Sequence, residues 1–342
     1  MKSFTTLLSL VSIAISAAKA APTGPDPALT TSQATLDANI ACPLEPNASY
    51  SNVKNPILLV PGTGSTGPVS WDHTWVPLSS QLGYQPCYIS PPPYMLGDAQ
   101  INAEYIVNAV RRLNQASGKK VPVMTWSQGG LTTQWALTFF PSLKGQVRQL
   151  VAFAPDYRGT IGAAALDLIG AASESVWQQT TLSHFTVALA NAGGLKALVP
   201  TTNLYSTNDE VVQPESGGPL IESSYLDGAS NVKVQDTCGP LFLLEHSQEL
   251  FNQFTYVVAS AALSSSTLKA EPSSYSAKDC SELPPAGLSP ADTAYDITII
   301  AQAALAITAG PKSKCEPPLK PYAKPYDPRP DFCTVVQAIL NQ

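Results

Sequence analysis

The chain has 342 residues and a formal net charge of −6, and charged residues make up only 13% of it. That fraction is well below the ~25% of an ordinary soluble domain, and the acidic balance argues against nucleic acid as a partner. The length is sufficient for one large α/β domain or two smaller ones. Because no linker divides the chain, we expect a single domain over 21–342.

The first 20 residues have the features of a secretory signal peptide. A positively charged N-terminal segment is followed by an apolar stretch from about Leu7 to Ala18. Ala18-Lys19-Ala20 then fits the small-residue rule for signal-peptide cleavage. The stretch is too short to cross a membrane, which takes ~20 apolar residues, and no other run in the sequence reaches that length. We therefore expect a secreted, extracellular protein, whose net charge changes from −6 to −8 when Lys2 and Lys19 are removed.

Six cysteines form an even set in a chain with an export signal, which predicts three disulfides among 15 pairings. The simplest assignment without nesting joins neighbours: Cys42 with Cys87, Cys238 with Cys280, and Cys315 with Cys333. The last bridge would pin a proline-rich C-terminal tail at about 311–342. No CxxC motif or Cys/His cluster occurs in the sequence, so we expect no metal site.

One N-glycosylation acceptor is present, at Asn47 in Asn47-Ala48-Ser49. Such acceptors are used on surface loops of secreted proteins. We therefore expect Asn47 to lie on an exposed loop.

Short apolar segments alternate with helical patterns through the middle of the chain. Strand-like segments cover 56–60, 121–125, 150–154, 203–206 and 232–237, and apolar residues at helical spacing cover 101–113 and 131–140. This alternation predicts an α/β fold, with a mostly parallel central sheet and helices on both faces.

A serine stands between the second of these strands and the helix that follows it. The segment Thr125-Trp126-Ser127-Gln128-Gly129 resembles the nucleophile elbow of α/β-hydrolases, where a sharp turn holds a serine hydroxyl exposed above the sheet. The usual pattern is GxSxG, and Thr125 occupies the first glycine position. A partial match means little in a chain with 21 glycines, and a plain turn serine is an equal alternative.

A serine hydroxyl becomes a nucleophile when a base removes its proton and a third group, usually a carboxylate, orients the base. In this fold the acid follows the serine in the chain and the histidine follows the acid. The three histidines are His73, His184 and His246. Only His246 leaves room for an intervening strand and acid loop, so we predict His246 as the base.

The acid is less strictly determined by the sequence. Asp209 follows the strand-like segment 203–206, at the position where the carboxyl edge of the sheet presents it. Asp156 follows the preceding strand and is a competitor, and Glu210 and Glu245 are also near. We favour Asp209.

Attack on an ester also requires donors for the tetrahedral oxyanion, each worth ~3 to 4 kcal/mol when removed. One is the backbone N–H of Gln128, directly after the serine. The second is expected from the loop Gly62-Thr63-Gly64, which allows close backbone approach and adds the Thr63 hydroxyl. A plain tight turn is the alternative interpretation of this loop.

Six segments carry a resemblance to a known family. They are Pro-Ile-Leu-Leu-Val-Pro-Gly-Thr-Gly at 56–64, Thr-Trp-Ser-Gln-Gly-Gly-Leu at 125–131, Phe-Ala-Pro-Asp-Tyr at 153–157, Val-Trp-Gln-Gln-Thr-Thr at 176–181, Pro-Thr-Thr-Asn-Leu-Tyr-Ser at 200–206 and Cys-Gly-Pro-Leu-Phe at 238–242. The chain resembles the Candida antarctica lipase B-like family of α/β-hydrolase serine lipases over nearly all of its length after the signal peptide. That family also has threonine at the first elbow glycine, so Thr125 fits it.

The resemblance implies roles for the candidate residues. Ser127, Asp209 and His246 match the catalytic triad, and Thr63 and Gln128 match the oxyanion hole. The neighbour pairing of the cysteines is likewise what the resemblance implies.

The resemblance also implies a set of substrate-binding residues. Trp126 is expected to shape the alcohol-side pocket, Gln178 and Val211 match positions that line the acyl and alcohol sides, and Asp156 matches a buried carboxylate beside the active site. The low-charge segments 161–172 and 289–309 match helices that flank the channel mouth as a small mobile lid. The second segment is more β-branched and polar than the alanine-rich helix of the family.

We therefore expect a secreted lipase and carboxylic ester hydrolase that acts on triacylglycerols and other esters through an acyl-serine intermediate. Water or another alcohol then accepts the acyl group. The resemblance implies no cofactor, a monomer, and an ester or lipid substrate met at a lipid–water interface. Two alternatives remain open: a cutinase-like polyesterase or acyltransferase of the same fold, and a catalytically inactive binding protein with the hydrolase fold.

Overall fold

The computed structural model describes residues 21–168, 170, 172–281 and 283–330. The predicted signal peptide at 1–20 and the last part of the tail, with Cys333, lie outside the described residues.

A seven-stranded sheet forms the centre of the molecule, in the order β1-β3-β2-β4-β5-β6-β7. The strands are β1 Ile40–Ala41, β2 Pro56–Val60, β3 Gln85–Ile89, β4 Val121–Trp126, β5 Val147–Phe153, β6 Thr201–Tyr205 and β7 Ser230–Lys233. Only the short β1, at one edge, pairs antiparallel; all the other pairings are parallel. The predicted α/β fold with a mostly parallel sheet is confirmed.

Helices connect these strands and cover both faces of the sheet. They are α1 Gln33–Ala38, α2 Gly67–Trp71, α3 Trp75–Gln81, α4 Ala99–Ser117, α5 Gln128–Phe139, α6 Ile161–Leu168, α7 Glu174–Gln179, α8 His184–Asn191, α9 Val234–Cys238, α10 Gln253–Ser264, α11 Pro290–Ala294 and α12 Asp296–Ala309. Short 3-10 turns lie at Pro46–Ala48, Pro141–Gly145, Gln248–Leu250, Pro272–Ser274, Ala277–Asp279 and Lys324–Tyr326.

Each central strand contributes side chains to two separate hydrophobic clusters. In β2, Leu58 and Val60 pack with residues of α4 and α5, while Ile57 and Leu59 pack with residues of α3 and α10 on the opposite face. All four side chains are fully buried. This explains why the strand is apolar along its whole length, since a parallel strand covered by helices has no solvent face.

The strand predicted over 232–237 is wrong beyond its second residue. β7 ends at Lys233, and residues 234–238 form α9. Lys233 pairs with Tyr205, the last residue of β6, so a longer edge strand would have no neighbour to bond. The chain turns instead, and the Gln235 side chain bonds the loop after β6, through the backbone N–H of Thr207 and the hydroxyl of Ser206.

Two disulfides join Cys42 to Cys87 and Cys238 to Cys280, the pairs expected from the resemblance. Cys315 is also disulfide-bonded. Asn47 lies exposed in the turn Pro46–Ala48, and its glycosylation stays a prediction.

The chain beyond residue 310 is held against α8 by polar contacts. His184 Nδ1 lies 2.6 Å from Asp327 Oδ2, and the Arg329 guanidinium donates to the same carboxylate at 2.6 to 2.9 Å. Glu316 accepts hydrogen bonds from the backbone N–H groups of His184 and Phe185 at 2.8 and 2.7 Å. These contacts replace the helix or sheet pairing that the prolines prevent.

The His184–Asp327 pair should make stability depend on pH. The hydrogen bond that His184 donates to Asp327 raises the pKa of His184 above its usual 6.5, so the contribution of His184 to stability is complete below that pH and is lost as pH rises through the raised value. Burial opposes ionisation of Asp327, but its hydrogen bonds to His184 and Arg329 lower its pKa to about 2, so its contribution is lost only below pH 3.8.

We expect His184→Gln to lower the free energy of unfolding most between those limits, at pH 5, by about 1.5 to 3 kcal/mol, the range for a hydrogen bond to a charged group. At pH 9 the difference from the parent should shrink. Urea unfolding at the two pH values checks this. An equal loss at both would show that His184 acts by packing alone.

Candidate functional site

The predicted site residues lie in loops at the carboxyl edge of the parallel strands. Thr63 follows β2, Ser127 follows β4, Asp156 follows β5 and Asp209 follows β6. His246 lies in the loop after α9, which folds back over the same edge. In open α/β sheets this edge is where ligands bind.

Ser127 is held in a backbone conformation that non-glycine residues rarely adopt, with φ 56° and ψ −131°. It directly precedes α5, so the positive end of that helix lies beneath it. Gly129 and Gly130 make the turn sterically feasible. A Cβ at Gly129 would lie 2.7 Å from the carbonyl oxygen of Val60, and one at Gly130 would lie 2.5 Å from the Cβ of Pro155. The close packing of β4, α5 and their neighbours thus holds Ser127 in its strained backbone conformation.

Asp209 and His246 form a buried hydrogen-bonded pair. His246 Nδ1 lies 2.7 Å from Asp209 Oδ2, and both side chains are almost fully buried. The other carboxylate oxygen, Oδ1, accepts hydrogen bonds from the backbone N–H groups of Val211 and Val212, each at 2.7 Å. These two bonds fix the carboxylate, which in turn fixes the ring orientation of His246.

The charges around His246 favour its protonated form. Burial lowers the pKa of the ring, but the charge and hydrogen bond of Asp209, with smaller effects of Glu210 and Asp156, outweigh it and raise the pKa above 6.5. The imidazolium formed when the ring takes up a proton is therefore stabilised in this site.

Two contacts that sequence reasoning did not find position His246 further. Its carbonyl oxygen accepts a hydrogen bond from Trp126 Nε1 at 3.2 Å, and its ring lies 5.2 Å from the Trp126 ring. Its backbone N–H donates to Glu210 Oε2 at 2.9 Å. Trp126 thus braces the loop that carries His246, and its role on the alcohol side of the substrate stays a prediction.

Ser127 and His246 line one cavity of about 290 Å³, named here the Ser127 pocket. In the described part of the chain, the Ser127 hydroxyl makes no hydrogen bond to the ring. Such bonds are often long in sites without substrate and tighten when it binds.

Two backbone N–H groups belong to residues close to Ser127: Gln128 directly follows it, and Thr63 lines the same pocket. The N–H of Gln128 is at the first position of α5, and the N–H of Thr63 is in the loop after β2; within the described ranges, neither donates to another group. Gly62 allows this loop to approach, since a Cβ there would lie 2.9 Å from the Cβ of Ser127. The Thr63 hydroxyl donates to Gln179 Oε1 at 2.9 Å. Backbone N–H groups beside a serine nucleophile can stabilise a developing oxyanion.

Gln178 does not line the pocket, contrary to the sequence-based expectation. Its side chain is fully buried away from the cavity, accepting from the Ala99 N–H at 2.6 Å and donating to Asp98 Oδ1 at 2.6 Å. Its neighbour Gln179 lines the pocket and contacts Thr63 instead. Successive side chains of α7 point in different directions. Gln179 therefore faces the pocket, while Gln178, one position earlier, bonds the first turn of α4.

Asp156 is fully buried and is absent from the pocket wall. Its carboxyl oxygens accept no hydrogen bond from another residue of the described chain. Burial raises the pKa of Asp156 to about 7, while the nearby charge of His246 opposes that rise. Asp209 and not Asp156 is the carboxylate bonded to His246.

The remaining wall of the Ser127 pocket is largely apolar. Val211 lies there, 38% exposed, together with Val176, Val212 and residues of two helices. The helical residues are Ala163 and Leu166 of α6, and Ile300, Ala303, Ala304 and Ile307 of α12. The low-charge segments of the sequence thus border the pocket. An ester with apolar substituents fits such a wall.

The β-branched segment over 289–309 is helical in spite of its composition. Ser289 and Asp292 form a capping box at the start of α11, which satisfies the free N–H groups there. The helix pair is tied to the body by His73 Nδ1, 2.8 Å from Asp292 Oδ1, and by a hydrogen bond from Ser247 to Asp296. Ser247 directly follows His246, so α12 and the histidine loop are joined.

Over the ranges that the structure covers, no three His, Cys, Asp or Glu side chains are grouped so that they could hold a metal ion. None of the helices described above is long and apolar enough to cross a membrane.

Comparison with known proteins gives two similarities over most of the chain. No protein-family model matches it. It is 53% identical to lipase B of Pseudozyma antarctica over 309 residues, which are 90% of each chain. Among solved structures, the Aspergillus fumigatus lipase B matches with a TM-score of 0.78 at 31% identity, covering 87% of this chain and 73% of that one.

The geometry predicts that Ser127 reacts with electrophiles that trap activated serines. A phosphonate ester should form one adduct, on Ser127, and His246→Ala should slow its formation by at least about a hundredfold, since general-base assistance contributes ~10² to 10⁴ in rate. Intact-mass and peptide mass spectrometry check both. Labelling of another serine, or an unchanged rate in His246→Ala, would contradict the assignment.

Proposed function

The chain belongs to the Candida antarctica lipase B-like family of serine ester hydrolases, and we propose that it is a secreted lipase with Ser127, His246 and Asp209 as its catalytic triad. The observation that carries the proposal is the buried 2.7 Å bond between Asp209 and His246, at the wall of the pocket that Ser127 shares. Such a pair supplies the oriented base that a serine nucleophile requires.

In the first step Ser127 Oγ attacks the ester carbonyl carbon while its proton passes to Nε2 of His246. Nδ1 remains bonded to Asp209, which stays ionised and stabilises the imidazolium. The carbonyl oxygen becomes an oxyanion that accepts hydrogen bonds from the backbone N–H groups of Thr63 and Gln128. The Thr63 hydroxyl donates its one proton to Gln179, and this bond holds the loop that carries the Thr63 N–H in place.

Collapse of the tetrahedral intermediate breaks the bond to the alcohol, which leaves with the proton from His246. The acyl group remains on Ser127 as an ester. Water then attacks this ester with His246 again as the base, releasing the acid and restoring the serine. When another alcohol takes the place of water, the same step transfers the acyl group. Every proton in this sequence is carried by groups of the chain or by the reactants.

Two features support secretion and action on lipid. Disulfides persist in oxidising compartments outside the cytosol, and the chain forms them at Cys42–Cys87 and Cys238–Cys280. Around the Ser127 pocket, Ile161, Ile297 and Leu305 are exposed on the helices that border it. An apolar rim of this kind favours contact with a lipid–water interface.

The two buried acids near His246 should differ in their effect on turnover. We expect Asp209→Asn to lower kcat by about 10⁴, because the ring loses its oriented tautomer, and Asp156→Asn to lower it far less. Removal of the Asp156 charge should also lower the pKa of His246, which that charge raises. Since the base must be unprotonated, the acidic limb of the pH–rate profile should then move to lower pH. The reverse ranking of the two variants would refute the choice of acid.

The apolar wall predicts a dependence on acyl chain length. With p-nitrophenyl esters, kcat/KM should rise by about fourfold for each added methylene that the Ser127 pocket buries, from ~0.8 kcal/mol per methylene. It should stop rising when the chain extends beyond the cavity. Ser127→Ala measures the background rate. A preference for acetate, or for a polyester over emulsified triacylglycerol, would favour an esterase or a polyesterase instead.

A further inference from the structure

A second cavity of about 460 Å³ lies next to the Ser127 pocket, and we name it the Leu182 groove. The two cavities share no wall residue. Along residues 159–162, which lead into α6, Thr160 and Gly162 line the Ser127 pocket, whereas Gly159 and Ile161 line the groove. A single layer of chain therefore separates the two.

The groove exposes apolar side chains that folding alone does not account for. Leu182 is 72% exposed, Leu220 is 89% exposed, and Ile221 is also exposed. Leu182 has φ 67°, a left-handed conformation that is unfavourable for leucine and costs glycine nothing. An exposed leucine at such a position stabilises neither the backbone nor the core. Apolar side chains grouped around a cavity in this way indicate a binding surface.

Arg158 is the one charged residue in the described wall of the groove. Its Nη1 donates to the backbone carbonyl of Glu222 at 3.1 Å and to that of Tyr225. Within the described chain it forms no ion pair with a carboxylate, and arginine stays charged in proteins.

The two acids whose charges act on Arg158 are Glu215 and Glu222, and both are bonded to other groups. Glu222 is paired with Lys233 at 2.6 Å. Glu215 is bonded to Ser224, and burial raises the pKa of Glu215 to about 9, so it is neutral at neutral pH. Within the described chain, the Arg158 guanidinium thus adjoins an apolar cavity and is in direct contact with no carboxylate.

We propose that the Leu182 groove binds a medium-chain carboxylate, with the alkyl chain on Leu182, Leu220 and Ile221 and the carboxylate on Arg158. The ligand class follows from the combination of an apolar wall with one guanidinium, which matches a carboxylate by charge and by geometry. The acid released by ester hydrolysis has this chemistry, and the thin wall places the groove beside the pocket that releases it. That last link rests on the proposed function, whereas binding itself does not require an active Ser127.

Isothermal titration of the full chain with sodium decanoate, below its micelle concentration, tests the proposal. We expect one molecule bound per chain in protein whose Ser127 carries a phosphonate, which occupies the Ser127 pocket, and binding in the groove retained in Ser127→Ala. Decanol, which has the same chain without the charge, should bind at least about tenfold more weakly, from the energy of a charged hydrogen bond.

Variants locate the site within the groove. Arg158→Gln should weaken decanoate binding at least about tenfold and leave decanol unchanged. Leu182→Gly combined with Leu220→Ser should weaken both ligands by about tenfold or more. Glycine accepts the left-handed backbone at 182, so this variant should melt no earlier than the parent. The matched control is Leu241→Ser, which removes an equally exposed leucine outside both cavities and should change neither affinity.

The proposal fails if decanoate does not bind, if the groove variants bind it as the parent does, or if phosphonylation of Ser127 abolishes binding, which would place the ligand in the Ser127 pocket. Failure of the proposed function looks different, because it appears as absent turnover and absent phosphonate labelling. Neither of those results affects the titration of Ser127→Ala.

Discussion

The hydrogen bond between His246 Nδ1 and Asp209 Oδ2 joins two loops that start from different parts of the fold. Asp209 is delivered by β6 and fixed by two backbone N–H groups, while His246 lies on a loop held by Trp126 and Glu210. Trp126 directly precedes Ser127, so the strand that presents the serine also braces the histidine. The proposed chemistry depends on this one bond, since it sets both the ring orientation and the proton affinity of the base.

The charge state of the buried acids around His246 also affects its proton affinity. Buried acids such as Asp156 and Glu249 surround Asp209 and His246, and burial raises the pKa of each of them. Glu249, whose pKa burial raises well above its usual value, is kept neutral and adds no negative charge to this group, whereas the charge of Asp156 still raises the proton affinity of His246. Glu249 also accepts a hydrogen bond from the N–H of Ala154 at the end of β5, and so ties the histidine loop to the sheet. The same carboxyl group thereby contributes to both the charge balance and the geometry.

Much of this arrangement follows from the sequence, because a parallel sheet collects the carboxyl ends of its strands at one edge. Apolar segments located the strands, and the loops after them placed Thr63, Ser127, Asp209 and His246 together. The direction of a side chain on a short helix is not fixed in the same way: the resemblance implies Gln178 as a pocket residue, but Gln179 lines the pocket. The end of β7 depends on its neighbour β6, and the Leu182 groove depends on three segments far apart in the chain. Neither leaves a local signal.

Proton NMR of the His246 Nδ1–H tests the central claim most directly. A proton shared in a short bond to a buried carboxylate resonates far downfield, and this resonance should change position with a pKa above 6.5, the direction in which Asp209 shifts the ring. The account predicts that the resonance is lost in Asp209→Asn and kept in Asp156→Asn. A resonance that survives Asp209→Asn but disappears in Asp156→Asn would show that a different acid orients the histidine.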